Sequence, residues 1–199
     1  MKSPLLWLLT AVAAFAQAPV KPVAVIVETD LGKITLEVDL ARAPVTGANF
    51  LKYVDGKFYD GGVINRAVRP DNTTRHDVEI QVIQLQSDAA RKSQLSAPLP
   101  LERTTVTGLK HRDGTISMAR TGADTATSSF FVTIGDQPSL DFGGKRNADG
   151  QGFAAFGRVV DGMDVVKKIQ ASPTGTKGEY GTETLEPPIK ILKAYRRKN

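Results

Sequence analysis

Short runs of apolar residues, separated by turn residues, follow one another along most of the chain after residue 23. Runs of four to eight residues rich in β-branched and aromatic side chains, bounded by Gly, Pro, Asn or Asp, are typical of β-strands. We therefore expect eight strands, over residues 24–28, 33–39, 63–68, 78–86, 114–119, 130–134, 153–160 and 189–195. The first two flank a Thr-Asp-Leu-Gly turn and predict a β-hairpin.

Two segments have the apolar spacing of helices instead. Pro44 can begin a helix, because the first helical turn leaves its N–H groups unbonded, and apolar residues three or four apart follow it up to Gly56. Residues 163–171 have the same spacing. Many short strands, two helices and no repeating strand–helix–strand order predict a mainly β fold: an antiparallel barrel with helical caps.

Two polar stretches interrupt this pattern. Residues 69–77 have the polar composition of an exposed loop, and residues 87–107, which contain two prolines, predict a long ordered excursion. Between them, strand alternation places Val82, Gln84 and Gln86 on one face and the residues between them on the other.

The start of the chain has a different character. Lys2 precedes an eleven-residue apolar stretch, interrupted only by Thr10, and Ala14-Phe15-Ala16 has the form of a cleavage site. This stretch is shorter than the roughly 20 residues that a membrane-spanning helix needs. The pattern predicts a secretory signal peptide over residues 1–16, with an uncleaved tail or a short anchor as the alternative. A linker over 17–23, a domain over 24–195 and a basic tail over 196–199 would follow.

Charge and cysteine content narrow the function classes. Loss of residues 1–16 removes one lysine and no acid, so the net charge falls from +5 to 25 − 21 = +4. The basic C-terminal stretch has none of the aromatic interleaving of a nucleic-acid surface, and we expect no nucleic acid as partner. The absence of cysteine excludes disulfides, thiolate metal sites and cysteine nucleophiles. We expect a soluble, exported monomer with no metal and no cofactor, periplasmic or secreted.

Three segments resemble the motifs of one family. Gly114–Phe131 joins two short strands through a small-residue loop, and residues 49–61 and 153–166 agree with it. Together they resemble the cyclophilins, the peptidyl-prolyl cis-trans isomerases, over nearly the whole chain after residue 23. The resemblance implies a closed eight-stranded barrel capped by two α-helices, and a groove that receives a proline ring.

The resemblance also implies a catalytic arginine. Cyclophilins carry it on a strand in the sequence Phe-His-Arg-Val, and the matching stretch here is Ile64-Asn65-Arg66-Ala67. Isomerisation must cross a barrier of roughly 18 to 20 kcal/mol that arises from amide resonance. A fixed donor such as Arg66 can lower it by binding the twisted amide in preference to the planar one. The alternative for Arg66 is a surface arginine paired with an acid.

The next motif departs most from the family. Ile80–Gln86 lacks the Phe-Met pair and the Gly-Gly of the cyclophilin sequence Phe-Met-x-Gln-Gly-Gly, and about ten extra residues separate it from Arg66. We assign Gln84 as the amide that binds the substrate backbone and Val82 as the pocket wall. Strand parity leaves Gln86 open in place of Gln84.

The resemblance supplies the remaining site residues. Phe131 and Leu140 would line the proline pocket, Phe153 stands where many members have histidine, and Ala119 would contribute a backbone contact. Plain core packing is the alternative for the apolar residues, since Phe and Leu are usually buried. Both histidines, His76 and His111, lie in polar stretches, and we expect them to face solvent.

The predicted function is isomerisation of X-Pro bonds during the folding of extracytoplasmic proteins. The clients would be unfolded or partly folded Pro-containing polypeptides. A catalytically weak or inactive module that binds Pro-containing peptides is the alternative, and a purely structural barrel is a more distant one.

Cleavage of the signal peptide would change the mass of the exported protein. The protein recovered from outside the cytoplasm should have the intact mass of a chain that begins at Gln17. Because Trp7 is the single tryptophan, the processed form should also lack tryptophan fluorescence. Recovery of the full-length chain from the cytoplasm would contradict the signal peptide.

Overall fold

Nine strands and three α-helices make up the regular structure of residues 20–198, the part of the chain that a computed structural model describes. The strands are β1 (Val23–Thr29), β2 (Gly32–Val38), β3 (Val63–Val68), β4 (Val82–Gln86), β5 (Thr115–Met118), β6 (Phe130–Thr133), β7 (Ala155–Asp161), β8 (Thr174–Gly175) and β9 (Thr184–Arg196). The helices are α1 (Pro44–Asp55), α2 (Thr104–Thr107) and α3 (Met163–Gln170). Short 3₁₀ turns cover Ala89–Gln94, Pro138–Leu140 and Gly181–Glu183.

The strands form a closed antiparallel barrel. Their order is β1-β2-β7-β5-β6-β4-β3-β9, and β9 pairs back with β1. Strand β8 has only two residues and pairs with the start of β9 outside this ring. The expected closed eight-stranded barrel is therefore confirmed, with helices α1 and α3 packed against it. Closure pairs every barrel strand on both sides, so that the ring has no free edge.

Some strand boundaries differ from the sequence prediction. Strand β4 begins at Val82 and not at Val78, because its two neighbours end opposite Val82, β3 at Val68 and β6 at Thr133. Strand β7 begins at Ala155. The last strand begins five residues earlier than expected, at Thr184. Its register against β3 shifts so that residues 185–188, which include two prolines, form a bulge.

Helix α1 contributes Phe50 to a group of aromatic side chains in the core. Phe50 packs against Tyr59, Phe130 and Phe156, with ring centroids 5.1 to 5.5 Å apart. All four rings are fully buried, and the Tyr59 hydroxyl donates to the Ser128 carbonyl at 2.6 Å. Burial of each such side chain stabilises the fold by about 1.5–3 kcal/mol.

A second, smaller apolar cluster lies apart from this core. The predicted alternation of β4 is confirmed, because Ile83 and Leu85 belong to the core and Val82 belongs to the second cluster. On β6, Phe131 likewise belongs to the second cluster, whereas both of its neighbours belong to the core. This cluster therefore lies on the outer face of the sheet, where a ligand can reach it.

The polar stretch over 69–77 is a loop, as predicted, but its middle is not exposed. The Asn72 side chain donates to the Ala67 carbonyl at 2.9 Å, and the Asn72 carbonyl accepts from the Thr182 hydroxyl. The Thr73 hydroxyl donates to Glu183 at 2.9 Å. Polar composition indicated a solvated loop, whereas these hydrogen bonds bury Asn72 and Thr73 against the turn before β9.

The expectation that both histidines face solvent is confirmed for His76 and wrong for His111. His76 is exposed, but His111 is 1% exposed and lies behind Phe131, with the two rings stacked at 6.0 Å. Its ring nitrogens are 2.8 Å from Asp141 Oδ1 and 2.9 Å from Ser117 Oγ. Two polar neighbours allow an imidazole to be buried, and neither is adjacent to it in the sequence.

The described helices offer no candidate for a membrane crossing, since none is both long and apolar enough.

His111 predicts how stability changes with pH. Burial lowers the pKa of His111 below its ordinary value of 6.5, and it outweighs the opposing effect of Asp141. Below pH 6.5 the unfolded chain therefore binds a proton that the folded chain does not, and the free energy of unfolding falls as pH falls. Each pH unit between the two pKa values costs about 1.4 kcal/mol. Urea unfolding at pH 7.5 and pH 5 should show this loss in the wild type and in the control His76→Gln. A smaller loss is expected in His111→Gln, and an equal loss would contradict the assignment.

Candidate active site

A groove of about 640 Å³ runs along the outer face of the barrel. It brings together every residue that the sequence analysis assigned to the site: Arg66, Val82, Gln84, Gln86, Ala119, Phe131, Leu140 and Phe153. Their individual roles stay predictions, but their placement in one cavity makes a common function possible.

The strand register sets the centre of the groove. Arg66 on β3 is paired with Gln84 on β4, and Gln84 is paired in turn with Phe131 on β6. Residues directly opposite each other on antiparallel strands project to the same face. The three side chains therefore form a row across three neighbouring strands, with the guanidinium at one end and the aromatic ring at the other.

An apolar pocket lies at the aromatic end of this row. The Phe131 and Phe153 rings meet edge to face at 5.3 Å, and Leu140 is buried beside them. The other apolar members of the cluster are Val68, Ile80, Val82 and Ala119. The pocket is therefore a second apolar site, built on the outside of the barrel wall.

The Arg120 side chain packs against the Phe153 ring. Its guanidinium lies 5.1 Å from the Phe153 ring and binds both carboxylate oxygens of Asp149, at 2.7 and 2.9 Å. Hydrogen bonding from Arg120 lowers the pKa of Asp149 to about 2. The pair fixes the loop over residues 141–152 against the pocket.

Arg66 is held by an acid that the sequence analysis did not find. Its Nε and Nη2 atoms donate to one oxygen of Glu183, at 2.8 and 2.6 Å, and its Nη1 atom donates to Gln84 Oε1 at 3.2 Å. Glu183 is buried, and its second oxygen accepts from Thr73. Glu183 lies 117 positions after Arg66, and the pairing of β3 with β9 brings the two together.

Tyr180 is the second residue that sequence reasoning missed. The Arg66 guanidinium lies 4.8 Å from the centre of its ring, and its hydroxyl accepts from Gln84 at 3.2 Å and Gln86 at 2.8 Å. Burial, together with the charge of Glu179, raises the pKa of the Tyr180 phenol. The hydroxyl therefore stays protonated and keeps its own hydrogen for another acceptor.

The two candidate glutamines have different contacts in the structure. Only Gln84 contacts Arg66, whereas Gln86 lies one step farther along the same face of β4 and binds Tyr180 alone. Gln84 can therefore link the guanidinium and the phenol, which favours it as the amide beside the reacting bond.

Ala119 contributes backbone at the opposite wall. Its N–H donates to the Ser129 carbonyl at 2.9 Å, so a contact with a bound peptide must come from its own carbonyl group. The loop that follows is closed by Thr125, whose hydroxyl accepts from Thr121 and Gly122.

The groove therefore combines an apolar pocket with a fixed guanidinium. Such a site can bury a ring and offer a hydrogen-bond donor to an atom beside it. Within residues 20–198 we find no cluster of three or more His, Cys, Asp or Glu side chains that could hold a metal ion.

Comparisons with known proteins agree with this geometry. The family model for cyclophilin type peptidyl-prolyl cis-trans isomerases matches residues 24–196. Peptidyl-prolyl cis-trans isomerase A of Dickeya dadantii is 36% identical over 174 residues, which cover 85% of this chain and 84% of that protein. A peptidyl-prolyl cis-trans isomerase of Acinetobacter baylyi is 32% identical over 83% of this chain and 80% of its own length.

A solved structure shows the same fold. The cyclophilin type isomerase of Cryptosporidium parvum superposes with a TM-score of 0.68 at 19% identity, covering 89% of this chain and 99% of that one. It has also been solved in the presence of the dipeptide Ala-Pro. Sequence motifs, the closed barrel, the outer groove and the extent of the family match lead to one conclusion: the chain belongs to the cyclophilin family and is a peptidyl-prolyl cis-trans isomerase.

Proposed function

We propose that this isomerase accelerates cis-trans exchange of X-Pro bonds in unfolded or partly folded polypeptides outside the cytoplasm. The row formed by Arg66, Gln84 and Phe131 is the observation that supports it most. The row places a donor, an amide and a ring pocket side by side, as rotation about one peptide bond requires.

Amide resonance sets the chemical problem. The planar X-Pro bond has partial double-bond character, which is lost at the midpoint of the rotation. At that point the prolyl nitrogen becomes pyramidal and gains a lone pair that can accept a hydrogen bond. A donor that reaches this nitrogen stabilises the twisted state and leaves the planar states unaffected, so the rate rises.

Arg66 has the donors for this role. A guanidinium carries five N–H groups, and Glu183 and Gln84 occupy three of them, which leaves 5 − 3 = 2 on its terminal nitrogens. Because three hydrogen bonds hold the group in place, little reorganisation is needed when the amide twists.

The remaining groups would hold the peptide. The proline ring would occupy the pocket formed by Phe131, Leu140, Phe153 and Val82. Gln84, with the free hydrogen of the Tyr180 hydroxyl, would bind the carbonyl groups of the peptide, and the Ala119 carbonyl would accept a peptide N–H. Rotation can then proceed on one side of the X-Pro bond while the other side is fixed.

The extracytoplasmic part of the proposal has separate support. It depends on the signal-peptide pattern of residues 1–16, which lie outside the described residues. The mass experiment above tests it independently of the enzyme assay.

The first test of catalysis is Arg66→Ala. We expect kcat for a proline-containing peptide to fall at least tenfold, about 1.4 kcal/mol of transition-state stabilisation, with a smaller change in peptide affinity. Arg66→Lys should restore only part of the rate, because an ammonium cannot bind Glu183 and Gln84 through a planar fork. NMR exchange spectroscopy measures the rate without a coupled protease.

The same assay separates the enzyme from the binding module. Wild-type protein that binds the peptide but does not accelerate exchange would establish a binder. Protein that does neither would contradict both functions.

Glu183 gives a second prediction. Glu183→Gln keeps the side-chain shape and one acceptor oxygen but removes the charge that holds Arg66. We expect kcat to fall by about three- to tenfold, because Arg66 is then less well positioned. Glu37→Gln is the control, since it breaks an Arg–Glu pair with Arg158 away from the groove and should leave kcat unchanged. Unchanged turnover in a folded Glu183→Gln variant would show that Arg66 needs no anchor.

A further inference from the structure

Two loops meet at one end of the groove, where each contributes an arginine. Arg75 belongs to the loop over 69–77, and Arg146 belongs to the loop over 141–152; both line the groove. Arg75 Nη1 donates to the Arg146 carbonyl at 2.8 Å, which joins the two loops. Arg146 N–H in turn donates to the carbonyl of Ser139, the residue before the pocket residue Leu140.

Arg146 differs from the other arginines of the groove. Arg66, Arg75 and Arg120 each form an ion pair, with Glu183, Asp77 and Asp149 respectively. Arg146 is 8% exposed, yet within residues 20–198 it forms no ion pair, and its guanidinium makes one hydrogen bond, from Nη1 to the Val78 carbonyl at 3.0 Å. A buried cation therefore faces the groove without a counter-ion.

This arrangement is energetically costly. Removal of a guanidinium from water carries a penalty of several kcal/mol unless an anion or several hydrogen bonds compensate it. Burial lowers the pKa of Arg146, and the charges of Arg66 and Arg75 lower it further, against smaller opposing effects of Glu183 and Asp77, which already pair with those two arginines. An anion that binds here would relieve both effects.

A neighbouring polar side chain favours the same kind of ligand. Beside Arg146, the side-chain Nδ2 of Asn147 is buried and has no hydrogen-bond partner among the described residues. A second donor is thus present next to the unpaired guanidinium.

We propose that Arg146, with Arg75 beside it, forms a subsite for an acidic side chain of the peptide substrate. The Arg146 guanidinium binds the Val78 carbonyl, two residues before the pocket residue Ile80, and its backbone N–H binds the Ser139 carbonyl, directly before the pocket residue Leu140. An extended peptide advances about 3.3–3.6 Å per residue, so we place the acid at the residue directly before or directly after the proline. A carboxylate would receive charge-assisted hydrogen bonds from Arg146 and supply the missing counter-charge.

The proposal rests on the proposed function, because it assigns a preference to the same groove. The experiment uses two sets of peptides that differ only in the residue after or before the proline, which is Glu, Gln or Lys. NMR exchange spectroscopy gives kcat/KM for each peptide. In one set we expect wild-type protein to favour Glu over Gln by about tenfold, equivalent to about 1.4 kcal/mol, and to disfavour Lys.

Charge variants test the residue. Arg146→Gln should reduce the Glu-to-Gln ratio to near one, and Arg146→Glu should reverse the preference towards Lys. The matched control is Lys145→Gln, which removes an exposed cation from the same loop and should keep the wild-type ratio. Should the Arg146 variants fail to fold by circular dichroism, Arg75→Gln should lower the same ratio.

The remaining outcomes of these measurements also decide whether the subsite exists. A wild type that does not distinguish Glu from Gln in either set would overturn the subsite, and so would a Glu preference that survives Arg146→Gln. If the Gln peptides are not isomerised at all, the proposed function fails. The affinities of the Glu and Gln peptides, measured by fluorescence anisotropy, then decide the subsite alone.

Discussion

The partly buried ion pair between Arg66 and Glu183 is the interaction on which the site depends. It joins β3 to the turn before β9, and its other hydrogen bonds reach Gln84 on β4 and Thr73 in the 69–77 loop. A buried pair is favourable only when its remaining hydrogen-bonding groups are satisfied. Here the 69–77 loop, the turn before β9 and strand β4 satisfy all of them except two N–H groups of Arg66, so segments that are distant in the sequence share one polar centre.

Much of the fold could be predicted because it depends on local patterns. Alternation of apolar residues located the strands, and it also placed Val82 and Gln84 on the opposite face from Ile83 and Leu85. The errors concern where strands begin, because this depends on neighbours that are distant in the sequence. Strand β4 begins where β3 and β6 can pair with it, and β9 extends beyond its expected start through a bulge that contains two prolines.

The residues that sequence reasoning missed share a physical cause. Glu183, Tyr180 and Arg146 lie in polar stretches without periodicity, and their partners are brought near by barrel closure or by the meeting of two loops. Arg66 itself shows how alternatives can coexist. One alternative made it a strand arginine paired with an acid, and the other made it a groove residue with a role in catalysis. The structure pairs Arg66 with Glu183 and also places it in the groove.

Tyr180 has a consequence for how selective the groove can be. Because its hydroxyl already accepts one hydrogen of the side-chain amide of Gln84 and one of Gln86, a peptide carbonyl that takes those particular hydrogens must displace one hydrogen bond for each that it makes. Such an exchange is close to neutral in free energy, so backbone contacts confer little affinity and tolerate many sequences. Selectivity between peptides then depends on side chains that have no hydrogen-bond or charge partner in the free protein. A folding catalyst built this way can accept diverse chains and release each of them quickly.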